Sequence, residues 1–147
     1  ILYLSLDNNY RERRIKRMPT PGFAPELPLQ VSPIGGAYKP IKIINDVVKQ
    51  NLKMLVLTAP GERIMIPNYG VGLRNYLFEA HTMITRELIE SKILEQINLF
   101  MPFLENVEIK FEDMIDSDNA ISIEISYFVN QIGQEDFIKL VLTPKLV

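Results

Sequence analysis

Apolar and polar residues change their spacing along this chain, and each change marks an element. From Asn45, Val48, Leu52 and Leu55 recur at four and three, while Lys49, Gln50 and Lys53 fall on the other side. That is a helix with Asn45 as its cap, and Pro60-Gly61 ends it. A short apolar piece, Ile64 to Ile66, precedes a turn written Pro67-Asn68-Tyr69-Gly70 and a short amphipathic segment holding Leu73, Leu77 and Phe78. A longer helix follows: Thr85 is its expected N-cap, Ile84 and Ile89 its hydrophobic staple, and Ile89, Ile93, Ile97 and Phe100 its buried stripe, with Pro102 as the stop. Beyond Pro102 the period falls to two. Val107, Ile109 and Phe111 alternate with Glu108, Lys110 and Glu112. The turn cluster Asp116 to Asn119 leads into Ile121, Ile123, Ile125, Tyr127 and Val129, which alternate with Ser122, Glu124 and Ser126. After a turn over Gln131 to Glu135, Ile138, Leu140 and Leu142 alternate with Lys139, Val141 and Thr143. Helices first and strands last, with polar outer faces, predict an α+β fold: helices packed on one face of a small antiparallel sheet, the three strands forming a meander.

The first forty residues are of another kind. Six of the ten prolines lie there, which excludes regular helix and central strand, so residues 1–40 are expected to be an extended arm and residues 41–147 the folded domain. The arm carries six Lys and Arg against three Asp and Glu, a charge of +3 within a chain of net charge −2, which leaves −5 on the remainder. Arg11, Arg13, Arg14, Lys16 and Arg17 read as a solvated linker, as a phosphate-binding patch or as a peptide that orders on a partner. No aromatic residues interleave them, which favours the first reading.

At 147 residues, 47% hydrophobic and 23% charged, the chain is of a size for one domain with a real core. With no Cys and a single His, it cannot build a disulfide, a thiolate nucleophile, a Cys zinc site or a His cluster. No apolar run approaches a membrane span, and the net charge gives no support to wholesale nucleic-acid binding. No cofactor is expected. Catalysis on a glycosidic bond would need two acids at a fixed separation, and only Glu62, Glu79 and the Asp116/Asp118 turn are worth naming. Asp116 and Asp118 are turn formers, Glu79 is expected to pair with Arg63, and Glu62 has no identifiable partner. His81 reads as a surface or helix-entry residue, and Gly61, Gly70 and Gly72 as turn glycines, since no phosphate-loop motif is present.

Pro60-Gly61-Glu62-Arg63, Pro67-Asn68-Tyr69-Gly70, Leu73 and Tyr76-Leu77-Phe78-Glu79, followed by Thr82, Ile84-Thr85 and the long helix, resemble the signature of the small baseplate wedge family of contractile phage tails. The same family serves type VI secretion systems and other contractile injection machines, and is often labelled lysozyme-like. The resemblance covers roughly Ile43 to Leu142. It implies a non-enzymatic virion protein of the tail baseplate, made in the bacterial cytoplasm, which joins other wedge proteins and the tail sheath. Its C-terminal sheet would seed sheath assembly by accepting strands, here at Phe137, Ile138, Lys139, Leu140, Val141, Leu142 and Thr143. The arm lies outside the resemblance, and central hub or tube proteins are its candidate partners. The alternative is a peptidoglycan-cleaving tail enzyme. One departure concerns the end of the long helix, where the family has an aromatic residue and Glu-Pro-Arg and this chain has Phe100-Met101-Pro102-Phe103. Met101, Pro102 and Phe103 are therefore expected to make an apolar wedge contact in place of a charged one.

Overall fold

The computed structural model describes residues 22–31, 38–80, 82–112 and 120–143. The basic run from Arg11 to Arg17, His81, and the Asp116 to Asn119 turn lie outside the described residues. Compact packing divides the chain at Gln50/Asn51. In the first unit, β1 (Ala24–Pro25) pairs antiparallel with β2 (Pro40–Ile41), a two-residue ladder as short as its prolines demand. Gln50 was expected to face away, but its side chain accepts from the N–H of Leu27 (2.8 Å) and donates to the carbonyl of Pro25 (3.0 Å). A proline-rich segment has few internal ladder partners, so a side-chain amide with both donor and acceptor supplies them.

Helix α1 (Ile44–Leu57) runs through the division. It starts one residue before Asn45, with Val47 N–H on the carbonyl of Ile43, and Val48, Leu52 and Leu55 are buried as their spacing predicts, joined by Val56. In the second unit a 3-10 helix (Leu73–Phe78) follows the loop after α1, and α2 (Met83–Phe100) follows that. The expected cap of α2 is corrected by one turn: Thr82 is the N-cap, and its hydroxyl accepts from Thr85 N–H at 3.3 Å. Thr85 Oγ1 is drawn back to the carbonyl of Ala80 (2.8 Å), and Ile84 lies exposed in the first turn, so no staple forms. Two threonines three apart are both competent caps, and only the path of the preceding chain selects one. Ile89, Ile93 and Ile97 form the buried stripe; Phe100 is half-buried.

The meander is β3 (Leu104–Glu112), β4 (Ile121–Val129) and β5 (Gln134–Leu142), antiparallel in the order β3-β4-β5, with α2 packed against β3. All five odd-numbered residues of β4 from Ile121 to Val129 are buried, as a central strand under one layer of helices requires. Strand β3 starts earlier than its alternation suggests, because a bulge between Glu105 and Glu108 inserts one residue and Asn106 takes a positive φ of 50°. The insertion reverses parity, so that Leu104 before it and Ile109 after it both face the core.

Candidate functional site

Three places carry the residues singled out by the sequence: the loop between α1 and the 3-10 helix, the end of α2, and the outer edge of the sheet. The loop is built from backbone. Gly61 N–H donates to the carbonyl of Pro67 (2.8 Å), Glu62 N–H to that of Ala59 (3.1 Å), and Tyr69 N–H to that of Ile66 (3.1 Å). At its base Val71 N–H reaches Leu55 and Gly72 N–H reaches Thr58, at 3.1 and 2.8 Å. Gly70 has a φ of 104°, and a Cβ on it would overlap the Thr58 carbonyl, so the motif's Gly records a close approach of two backbones. Its N–H is taken by the buried Gln96 of α2, through Oε1 at 2.8 Å. Gln96 escaped the sequence reading; the signal for it was a polar residue on the Ile89-Ile93-Ile97 face.

The expected pairing of Arg63 with Glu79 does not form. The Arg63 guanidinium lies over the Tyr69 ring, Cζ 3.7 Å from its centroid, and Tyr69 in turn meets Phe100 edge-on at 4.9 Å. Burial pushes the Tyr69 hydroxyl above its ordinary range, and the charge and hydrogen bond of Arg63 pull part of the way back. The closed loop delivers Arg63 to an aromatic face near at hand, whereas Glu79 caps the other end of the 3-10 helix, exposed, with its backbone N–H on Tyr76. Glu62 turns onto Ala59 N–H (3.1 Å). Leu73 and Leu77 anchor the 3-10 helix in the core, but Phe78 is 84% exposed. Ile64 and Met65, at the tip of the loop, are 94% and 91% exposed.

At the end of α2, Met101 is buried and closes the helix on Ile97 (2.7 Å), Pro102 is exposed, and Phe103 is half-buried with its carbonyl accepting from Asn130 N–H (3.3 Å). Only Pro102 and part of Phe103 are offered outward.

Strand β5 is one edge of the sheet. Leu140 faces the core with Ile138 and Leu142 half-buried beside it, while Phe137, Lys139 and Val141 stand on the open face with Thr143 just beyond. Phe137 N–H donates to Asp136 Oδ1 (2.9 Å), so it is turned away from β4. By the alternation of an antiparallel ladder, Lys139 and Val141 direct their N–H groups outward too. Across the open face Lys139 Nζ meets Glu112 Oε2 at 2.5 Å, and Ser122 Oγ of the intervening β4 donates to the same oxygen (3.1 Å). The Lys139 and Ser122 hydrogen bonds hold the Glu112 carboxyl below its usual range, and the Glu112 bond raises Lys139. Among the described residues no group of acidic or histidine side chains could hold a metal ion, and no helix is long and apolar enough to cross a membrane.

The loop motif, the long helix and the first two strands of the meander coincide with a known profile: that of the family described as baseplate wedge protein gp25 matches residues 44–133. The chain belongs to the gp25 family of baseplate wedge proteins. Two solved structures share the fold of this wedge protein. One is a Geobacter sulfurreducens protein provisionally described as a tail lysozyme (TM-score 0.63, 21% identity, over 74% of this chain and 97% of the other). The second is a chain of the anti-feeding prophage (AFP) baseplate, solved by cryo-electron microscopy with six-fold symmetry (TM-score 0.59, 28% identity, over 73% and 84%). No curated protein sequence matches the chain. At 21% identity the first likeness carries the fold alone. Family and second neighbour agree on a structural place in the baseplate of a contractile tail.

Proposed function

We propose that this wedge protein is a non-enzymatic subunit that ties the wedge to the first sheath ring and offers the outer edge of β5 as the template for a sheath strand. The observation that carries the reading is the outward direction of the Phe137 N–H, and with it those of Lys139 and Val141, on an edge with which no further strand among the described residues pairs. An added strand would gain main-chain bonds worth roughly 0.5–1.5 kcal/mol each, enough over several residues to hold a sheath arm in a ring that is multiply connected. The open-face Phe137 and Val141 would grip its alternate side chains. Pro102 and Phe103 are proposed as the apolar wedge contact that replaces the family's charged one. The N-terminal arm is proposed to lie on hub or tube proteins.

The test is sheath polymerisation from baseplates carrying Lys139→Pro, Lys139→Ala or Leu140→Pro. Lys139→Pro removes an outward donor and should fold, join the wedge and fail to seed, whereas Lys139→Ala keeps the donor and should seed. Leu140→Pro breaks the ladder to β4 and should not fold. Normal sheath from folded Lys139→Pro baseplates would refute the template and move it to β3, the other edge. Against the enzymatic reading, among the described residues Glu62 is turned onto Ala59 N–H and Glu79 stands exposed at the end of the 3-10 helix, and the purified chain is expected to release no fragments from peptidoglycan; turnover abolished by Glu79→Gln would reverse that.

A further inference from the structure

The loop tip combines three features. Ile64 and Met65 are almost wholly exposed on a segment whose backbone is closed by Gly61 on Pro67, so they cannot collapse onto the core by a small adjustment. Beside them, Arg63 is half-buried and held over the Tyr69 ring, yet among the described residues no carboxylate pairs with it. Its sequence neighbour Glu62 instead spends a carboxylate oxygen on Ala59 N–H. A guanidinium has five N–H donors in a fixed fork; stacking occupies its face, and the hydrogen bond to the Tyr69 hydroxyl takes one donor and leaves the others on the edge. Large apolar side chains on an ordered loop beside a preorganised, uncompensated cation are the makings of an interface centre, where desolvation strengthens a charge pair.

We infer that the loop of Arg63, Ile64 and Met65 docks a segment of another wedge protein of the same baseplate in which a carboxylate is flanked by apolar side chains. The inference rests on the baseplate reading and adds to it the chemistry of the partner. The carboxylate takes the open edge of Arg63 in a bidentate pair, and the apolar flanks cover Ile64 and Met65. Charge complementarity selects an acidic occupant over a basic one.

The test assembles the full chain with the purified wedge proteins of its own tail and measures affinity by biolayer interferometry at two salt concentrations. Ile64→Asp and Met65→Asp should each weaken binding about thirtyfold, the scale of an interface centre, with the melting temperature unchanged because both side chains are in water. Arg63→Gln should weaken it about tenfold and reduce its salt dependence. A photo-crosslinker at position 65 should capture a segment containing Asp or Glu, and reversing that residue to Lys should restore binding to Arg63→Glu. Binding within twofold of the parent for both Asp variants, or a captured segment without a carboxylate, overturns the inference while the wedge role stands. Failure of the unaltered chain to join any wedge complex would overturn both.

Discussion

Gly70→Ala is a sharp test of how the wedge motif builds its loop. A methyl there meets the backbone carbonyl of Thr58, which is fixed by its own bond to Gly72 N–H, so one of two backbone segments has to move. Holding a non-glycine residue at such a φ costs roughly 1–3 kcal/mol, and forcing an added carbon into packed surroundings roughly another 1–3 kcal/mol. The shift also pulls Gly70 N–H away from Gln96. Gly61→Ala is the matched control. Gly61 has a comparable φ of 90° but nothing within 4 Å of its would-be Cβ, so it should lose only the conformational part, roughly 1–3 kcal/mol. Urea unfolding of the two variants beside the parent measures the difference: Gly70→Ala is expected to lose at least about 1 kcal/mol more than Gly61→Ala. In thermal melts that excess is a further fall of roughly 4–8 °C for a unit of this size. Equal losses at the two glycines would show that the approach of Gly70 to Thr58 constrains nothing.

Four further outcomes are expected. Gln96→Leu strands the buried N–H of Gly70 and should cost about 1–3 kcal/mol in urea unfolding, with the loss concentrated in faster hydrogen exchange of the loop. Tyr127→Phe should leave stability equal or higher in the same assay, since the Tyr127 hydroxyl is buried with no hydrogen-bond partner among the described residues and is pushed above its ordinary titration range by burial and by Asp136. The Glu112–Lys139 pair sets a pH window: the Glu112 pKa is lowered on folding, so its contribution is present above the ordinary glutamate range and lost as pH falls through the depressed value. The Lys139 pKa is raised, so its contribution is present below the ordinary lysine range and lost only as pH rises through the raised value. The stability difference between the parent and Glu112→Gln should thus vanish in acid and persist at neutral pH. Phe103→Asp should lower the melting temperature only in proportion to a half-buried ring while abolishing entry into the wedge, and a collapse of the fold would mark Phe103 as core instead.

What the sequence determined by itself lies where one face of an element is buried throughout. The odd positions of β4, the isoleucine stripe of α2 and the Val48-Leu52-Leu55 stripe of α1 are local periodicities that survive folding unchanged, because a single packed layer imposes a single period. The glycines and prolines of the loop were readable for a related reason: they restrict φ whatever surrounds them. Tertiary structure decided every question in which two local solutions compete. Thr82 and Thr85 are equivalent as caps until the chain path is set. The bulge at Asn106 reverses the parity of β3, and only the register against β4 reveals it. Arg63 had an acid and an aromatic ring as rival partners, and loop closure gave it the ring. Gln96, polar in an apolar stripe, makes sense only when Gly70, 26 residues earlier, is brought against it. Ile64 and Met65 are legible in the sequence only as a short apolar piece; a loop closed by its own hydrogen bonds leaves them in solvent, where another protein is what remains for them to bury against.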